Sequence, residues 1–217
     1  MRRRDWLLGL SWLLACKEQA SALTVPKNGR LAFEIWRKGS QIGTHTLDFV
    51  QKDGALTITI AVRIAVFFGP IRLFHYTMDG VEQWTDGQIF HIETITNDDG
   101  KADHMRADRT TAGLMVQGTG TATYLAPPDA LPATHWNIAE LNGPWINPQN
   151  GKLDHPHIVS LGEEMVTLAN SGMARGEHYR VSGDVSLDLW YGTDKSWLSL
   201  SFTGKDGSII RYLRRAG

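Results

Sequence analysis

Residues 56–66 read LTITIAVRIAV, and this alternation decides the fold. Leu56, Ile58, Ile60, Val62, Ile64 and Val66 share one parity, while Thr57, Thr59, Ala61, Arg63 and Ala65 share the other. Side chains alternate across a strand, so the stretch is predicted as one long strand with a single buried face. Outward from it the same pattern recurs. RLAFEIW (30–36) puts Leu31, Phe33 and Ile35 together, and DVSLDLWY (184–191) does so for Val185, Leu187, Leu189 and Tyr191. Between such runs stand five Asp-Gly pairs, Asp53-Gly54, Asp79-Gly80, Asp86-Gly87, Asp99-Gly100 and Asp206-Gly207. Asp-Gly supplies the positive φ angles of tight hairpins, so each pair is read as a turn. Residues 186–213 read as three successive strands joined by two tight turns.

No long amphipathic helix competes with the strands. The best helical stretch is ATHWNIAELNG (133–143), with Thr134 as N-cap and Gly143 as stop. Large antiparallel sheets must hide their edges or curl closed. The expected fold class is therefore mainly β: a strongly curved antiparallel sheet or barrel-like meander with one short helical insertion. That insertion, about residues 134–146, is expected to cover one opening. A barrel of this size either fills its interior with side chains or holds one ligand.

The N-terminus reads differently. Arg2, Arg3 and Arg4 precede a short apolar run from Trp6 to Ala15, and Ala20-Ser21-Ala22 follows. Charged, apolar, then small is the order of an export signal, and the run is shorter than the ~20 residues that span a bilayer. RRDWLLG (3–9) resembles a twin-arginine signal, with Arg2 and Leu8 departing from the usual pattern. LLAC (13–16) resembles a lipobox, which makes Cys16 a candidate lipidation site and membrane tether. Cleavage after Ala22 is the competing expectation. Residues 1–22 are thus read as leader and 23–217 as a single β-rich domain, with a periplasmic location. Cys16 is the sole cysteine, so a chain cut after Ala22 forms no disulfide and performs no thiol catalysis.

Charge narrows the partners. The whole chain carries −1; four basic residues against two acidic ones in the leader contribute +2, leaving −3 for the domain. Such a balance gives no electrostatic footprint for nucleic acid. Metal and cofactor signals are weak too. His155 and His157 in LDHPHIV (153–159) share a strand parity, but a metal site needs further ligands and the remaining histidines follow no spacing rule. NDDGKAD (97–103) has its glycine too early for an EF-hand loop. GTGTAT (118–123) lacks the lysine of a phosphate loop. No cofactor and no catalytic residue is assigned.

The tryptophans point to a site. Trp136 and Trp145 flank the helical stretch, close to Asn137 and Asn147. An indole has a large apolar face and an N–H that needs a partner, which suits the mouth of a pocket. Trp84 and Trp190 lie in strand readings and are expected beneath the insertion. Glu82 shares a parity with Trp84; on the inner face it would be a buried carboxylate needing a partner, for which Arg63 and Arg72 are candidates. The seven expected ligand-binding residues are Trp136, Asn137, Trp145, Asn147, Trp84, Trp190 and Glu82. The structural alternative is that the indoles pin the insertion onto the sheet.

Four segments together resemble a family of exported bacterial proteins catalogued as a domain of unknown function, DUF6134. They are residues 33–49, 76–100, 134–153 and 178–202. The resemblance is carried by Ile42-Gly43, Glu82 with Trp84, Thr96 before Asp99-Gly100, Trp136-Asn137, Asn147 with Gly151, and Trp190-Tyr191. It implies export and a single β-rich domain, and no activity. The leading expectation is an exported envelope protein that binds or carries an apolar or lipid-like amphipathic molecule without catalysis. A periplasmic enzyme, hydrolase-like and working through Glu82 or a histidine cluster, is the first alternative. A structural or accessory protein with a filled core is the second. The barrel interior discriminates among them.

Overall fold

A computed structural model describes residues 23–216; the leader reading over 1–22, with Cys16, lies outside the described residues. In chain order the strands are β1 (Arg30–Arg37), β2 (Ser40–Lys52), β3 (Ala55–Phe68), β4 (Ile71–Thr85), β5 (Gln88–Asp98), β6 (Lys101–Thr110), β7 (Gly113–Gly118) and β8 (Thr121–Leu125). A connecting segment follows, holding the two-residue strands β9 (Leu131–Pro132), β10 (Trp145–Ile146) and β11 (Leu153–Asp154). The chain then returns through β12 (Pro156–Thr167), β13 (Met173–Gly183), β14 (Leu187–Gly192), β15 (Trp197–Thr203) and β16 (Ile209–Arg214). Thirteen strands form one sheet in the order β12-β13-β14-β15-β16-β1-β2-β3-β4-β5-β6-β7-β8, and β11-β10-β9 form a small second one. β16 pairs with β1, so the C-terminal meander joins the N-terminal one, while β8 and β12 remain the two edges. The sheet is barrel-like and not closed.

The alternation around residue 60 is realised as read. Leu56, Ile58, Ile60 and Val62 are buried, with Ile64 and Val66 half-buried farther along. Across the ladder Leu56 faces Trp84, Ile58 faces Glu82, Ile60 faces Gly80 and Val62 faces Met78. The inner face of β2 supplies His45, Leu47 and Phe49, and that of β14 supplies Leu189 and Tyr191. Three Asp-Gly pairs, 53-54, 86-87 and 99-100, close hairpins with both residues at positive φ. Asp206-Gly207 lies in the β15–β16 turn. Asp79-Gly80 does not turn; it lies within β4. There Gly80 faces inward, and a Cβ on it would meet Thr94 Cγ2 at 2.9 Å.

A meander sends alternate turns to opposite rims. The turns at 38–39, 69–70, 99–100 and 204–208 lie on one, here the upper rim. Those at 53–54, 86–87, 111–112 and 193–196 lie on the lower rim. The segment between β8 and β12 crosses the inside of the sheet. Gly120 N–H donates to the Asn150 carbonyl, and the Tyr124 hydroxyl donates to the Gly151 carbonyl. At Gly118 a Cβ would stand 2.3 Å from Asn150 O, so glycine there permits the close approach. The expected helix is only a 3-10 turn, Ile138–Asn142. Its cap is Asn137, whose side chain accepts from Ala139 N–H, and not Thr134. Gly143 ends it in extended backbone.

Candidate functional site

Two neighbouring compartments occupy the interior. The first is a knot around Glu82, which is fully buried. Trp84 and Trp136 both donate their indole N–H to Glu82 Oε2, at 2.8 and 2.9 Å. The Thr134 hydroxyl donates to Oε1 at 2.6 Å. The two indoles meet edge to face at 5.2 Å, and Phe49 packs on Trp136 at 5.5 Å. Burial pushes the Glu82 pKa up, the three donors hold it back, and the Glu140 charge adds to the rise. Neither expected arginine reaches it. Arg63 pairs with Asp79, and Arg72 is exposed. The carboxylate therefore holds the insertion to β4, with its oxygens already committed to donors.

A second buried carboxylate, Glu140, lies within the insertion. His135 donates its N–H to Oε2 at 3.0 Å, and its Nδ1 stands 2.7 Å from Oε1. The Tyr191 hydroxyl is 3.2 Å from Oε1 and 3.0 Å from the His135 carbonyl. Trp145 donates its indole N–H to the Glu140 carbonyl at 2.7 Å. His135 takes φ 66°, a left-handed conformation that a non-glycine residue keeps only when its surroundings demand it. Burial, with the Glu140 charge beside it, pushes the Tyr191 phenol well above its ordinary range.

Above these anchors lies a cavity of about 680 Å³. Its walls are mainly apolar, drawn from Val62, Ile64 and Val66 of β3, Met78 of β4, Leu187 of β14 and Phe202 of β15. Its floor is the insertion, through Thr134, His135 and Trp145. It extends to the upper rim at Arg37, Leu73 and Asp206. His45 also lines it, and that ring is unusual: both nitrogens are buried without a hydrogen-bond partner among the described residues. Phe33, Trp197 and Tyr212 surround it, with ring centroids 5.4–6.1 Å away. Burial, reinforced by nearby His135, lowers its pKa to about 3, so the imidazole is neutral.

The expected site residues divide accordingly. Trp145 and Asn147 line the cavity. Trp136, Trp84 and Glu82 belong to the knot beneath it and are not on its wall. Asn137 caps the 3-10 turn. Trp190 does not lie beneath the insertion as its strand reading predicts, because Leu189 and Tyr191 take the inner parity of β14. Trp190 instead stacks on His178 of β13 at 4.4 Å and donates to Glu164 of β12. His45 and Glu140 went unread. His45 carried a signal, for it shares a parity with Leu47 and Phe49. Glu140 carried none, because a glutamate in a helix-like stretch reads as solvated. Among the described residues no group of three or more His, Cys, Asp or Glu is arranged to hold a metal ion.

The fold has a solved counterpart. A beta-barrel-like protein of the domain of unknown function DUF1849 from Brucella abortus superposes with TM-score 0.54 at 8% identity, over 86% of this chain and 94% of that one. At that identity the likeness concerns the fold alone. No curated protein matches the sequence. The family model described as domain of unknown function DUF6134 matches residues 33–215, nearly the whole described domain and all four segments singled out above, and the chain belongs to that family.

Proposed function

We propose that the protein is exported to the envelope and binds or carries one apolar or amphipathic molecule in the cavity above the insertion. The observation that carries this reading is the cavity itself. Its volume of about 680 Å³ falls within the ~300–1,000 Å³ of small-molecule sites, and its wall is apolar with a few polar groups. Export rests on the leader's charged-apolar-small order and on the family resemblance. A filled core fits such an interior poorly. A catalytic Glu82 draws no support from a carboxylate committed to three donors and set apart from the cavity wall.

The test is a titration with dansyl-undecanoic acid, whose emission rises and shifts to the blue in an apolar site. Wild type is expected to bind it at one site. Leu187→Trp, which pushes an indole into the cavity, is expected to weaken binding at least tenfold while keeping the circular dichroism of the fold. No binding by wild type, or equal binding by the filled variant, would remove the reading.

A further inference from the structure

The upper rim carries a surface that neither the cavity nor the knot uses. β3 and β4 are the two longest strands, and their hairpin outruns its neighbours. Pairing to β2 ends at Ile64, and pairing to β5 ends at Tyr76. Residues 66–74 therefore pair only with one another, closing at Gly69-Pro70. The base of this projection, through Val66, Leu73 and Phe74, lines the cavity mouth. Its tip is apolar and exposed: Phe67 60%, Phe68 74%, Ile71 59% and Leu73 59%. Phe68 pairs with Ile71, while Phe67 pairs with Arg72 across the other parity. Each face of the tip thus presents a phenylalanine, with Arg72 beside Phe67. Such a tip suits insertion into a soft apolar medium better than docking on one flat protein face.

Charge points the same way. The tip and the upper turns on either side of it carry Arg37, Lys38, Arg72, Lys101 and Lys205 against Asp98, Asp99 and Asp206, a net positive balance in which Arg37 and Lys38 pair with Asp206. Cations bordering an apolar tip match the headgroups of anionic lipid, while the aromatic rings reach below them. The lower rim differs. Its turns Lys52-Asp53-Gly54, Asp86-Gly87, Thr111-Ala112 and Asp194-Lys195 hold no large apolar side chain, and its β12–β13 connection (168–172) holds only the half-buried Leu168, next to the exposed Met173, with no aromatic ring. The molecule is therefore polarised along the axis of its curled sheet.

We infer that the β3–β4 hairpin tip inserts into an anionic phospholipid surface and presents the cavity mouth to it. The proposal extends the carrier reading by naming where the cargo is exchanged, but it stands on different residues. A lipid-like molecule then passes between bilayer and cavity beside Leu73 without crossing water.

The experiment is flotation of the domain, residues 23–217, with vesicles of phosphatidylglycerol and phosphatidylethanolamine. Wild type is expected to float with them. Phe67→Ser/Phe68→Ser is expected to partition at least tenfold less, since two exposed aromatic anchors are removed. Arg72→Ala is expected to partition about fivefold less on anionic vesicles, and equally on pure phosphatidylcholine. Both variants keep the cavity walls and are expected to bind dansyl-undecanoic acid as wild type does. Conversely, Leu187→Trp is expected to float normally, so failure of membrane docking and failure of the cavity reading are distinguishable. Sedimentation velocity runs alongside. Wild type that fails to float, or a wild-type dimer that the serine pair converts to monomer, would overturn the proposal and assign the tip to a second copy instead.

Discussion

The two halves of the interior solve the same problem in opposite ways. In the lower half every buried polar side chain among the described residues meets a partner. Glu82 receives two indoles and a hydroxyl, and Glu140 holds a backbone N–H, a histidine ring and a tyrosine. In the upper half the wall falls away from itself, and His45 is buried with neither ring nitrogen bonded. The contrast separates what holds the fold from what is left available for binding. Of the indoles that read as a ligand site, Trp84 and Trp136 donate to the buried Glu82 carboxylate and Trp145 to the Glu140 backbone carbonyl. The cavity is walled instead by aliphatic side chains of ordinary strands.

The largest effect should come from breaking the lower half. Glu82→Leu keeps the volume approximately and leaves three buried donors without an acceptor. Each such donor costs about 1–3 kcal/mol, so a loss of about 3–5 kcal/mol in urea unfolding is expected. Glu82→Gln is the control. Its amide oxygen can accept both indoles, and its NH₂ can donate to the rotated Thr134 hydroxyl, so the expected loss is about 1 kcal/mol. Equal losses for the two variants would mean that Glu82 acts through charge rather than through its lone pairs.

A smaller effect sharpens the comparison along a single strand. Ile58 and Ile64 share the inner parity of β3, but Ile58 is fully buried beside the knot while Ile64 lines the cavity. Truncating a closely packed isoleucine removes transfer energy and leaves a new void. Ile58→Ala is therefore expected to cost about 3–4 kcal/mol. Ile64→Ala enlarges a space that is already there and should cost about 1 kcal/mol. Equal costs in denaturant unfolding would mean that the upper interior is as well packed as the lower.

How much of this was legible follows from the range of each signal. Strand alternation is local, and residues 56–66 declared both the strand and its buried face. Turn chemistry is local too, and it misled once. Asp79-Gly80 carries the hairpin dipeptide, but the parity of Met78, Gly80, Glu82 and Trp84 runs straight through it, and that longer pattern wins. Trp190 was misplaced although its neighbours Leu189 and Tyr191 already claimed the inner parity. The partners of Glu82 were illegible for a different reason. Thr134 and Trp136 lie 52 and 54 residues away in sequence. Nothing in a period of two says that a connecting segment folds back through the interior. The cavity was equally hidden, because whether a curled sheet closes over its core depends on how far the insertion reaches.

The smallest effect belongs to the upper half and is read in pH. His45 has a folded pKa of about 3 against 6.5 for an unperturbed histidine. Between those values the unfolded chain binds a proton that the folded chain does not. Its contribution to stability is therefore fully present above pH 6.5 and is lost as pH falls toward 3. At ~1.4 kcal/mol per pH unit, the loss from this one group is about 2 kcal/mol between pH 6.5 and 5. Glu82 acts with the opposite sign. Its pKa is raised above 4.5, so its contribution is complete below that value and declines as pH rises past it. The two slopes partly cancel in wild type, which makes the variant the informative measurement. His45→Leu replaces two unpartnered nitrogens by methyl groups and removes the His45 slope. Its stability at pH 5 is expected to exceed that of wild type by about 2 kcal/mol more than it does at pH 7.5. Parallel unfolding curves for the two proteins across that range would mean that His45 is hydrated in solution, and that the upper half is wet where the lower half is dry.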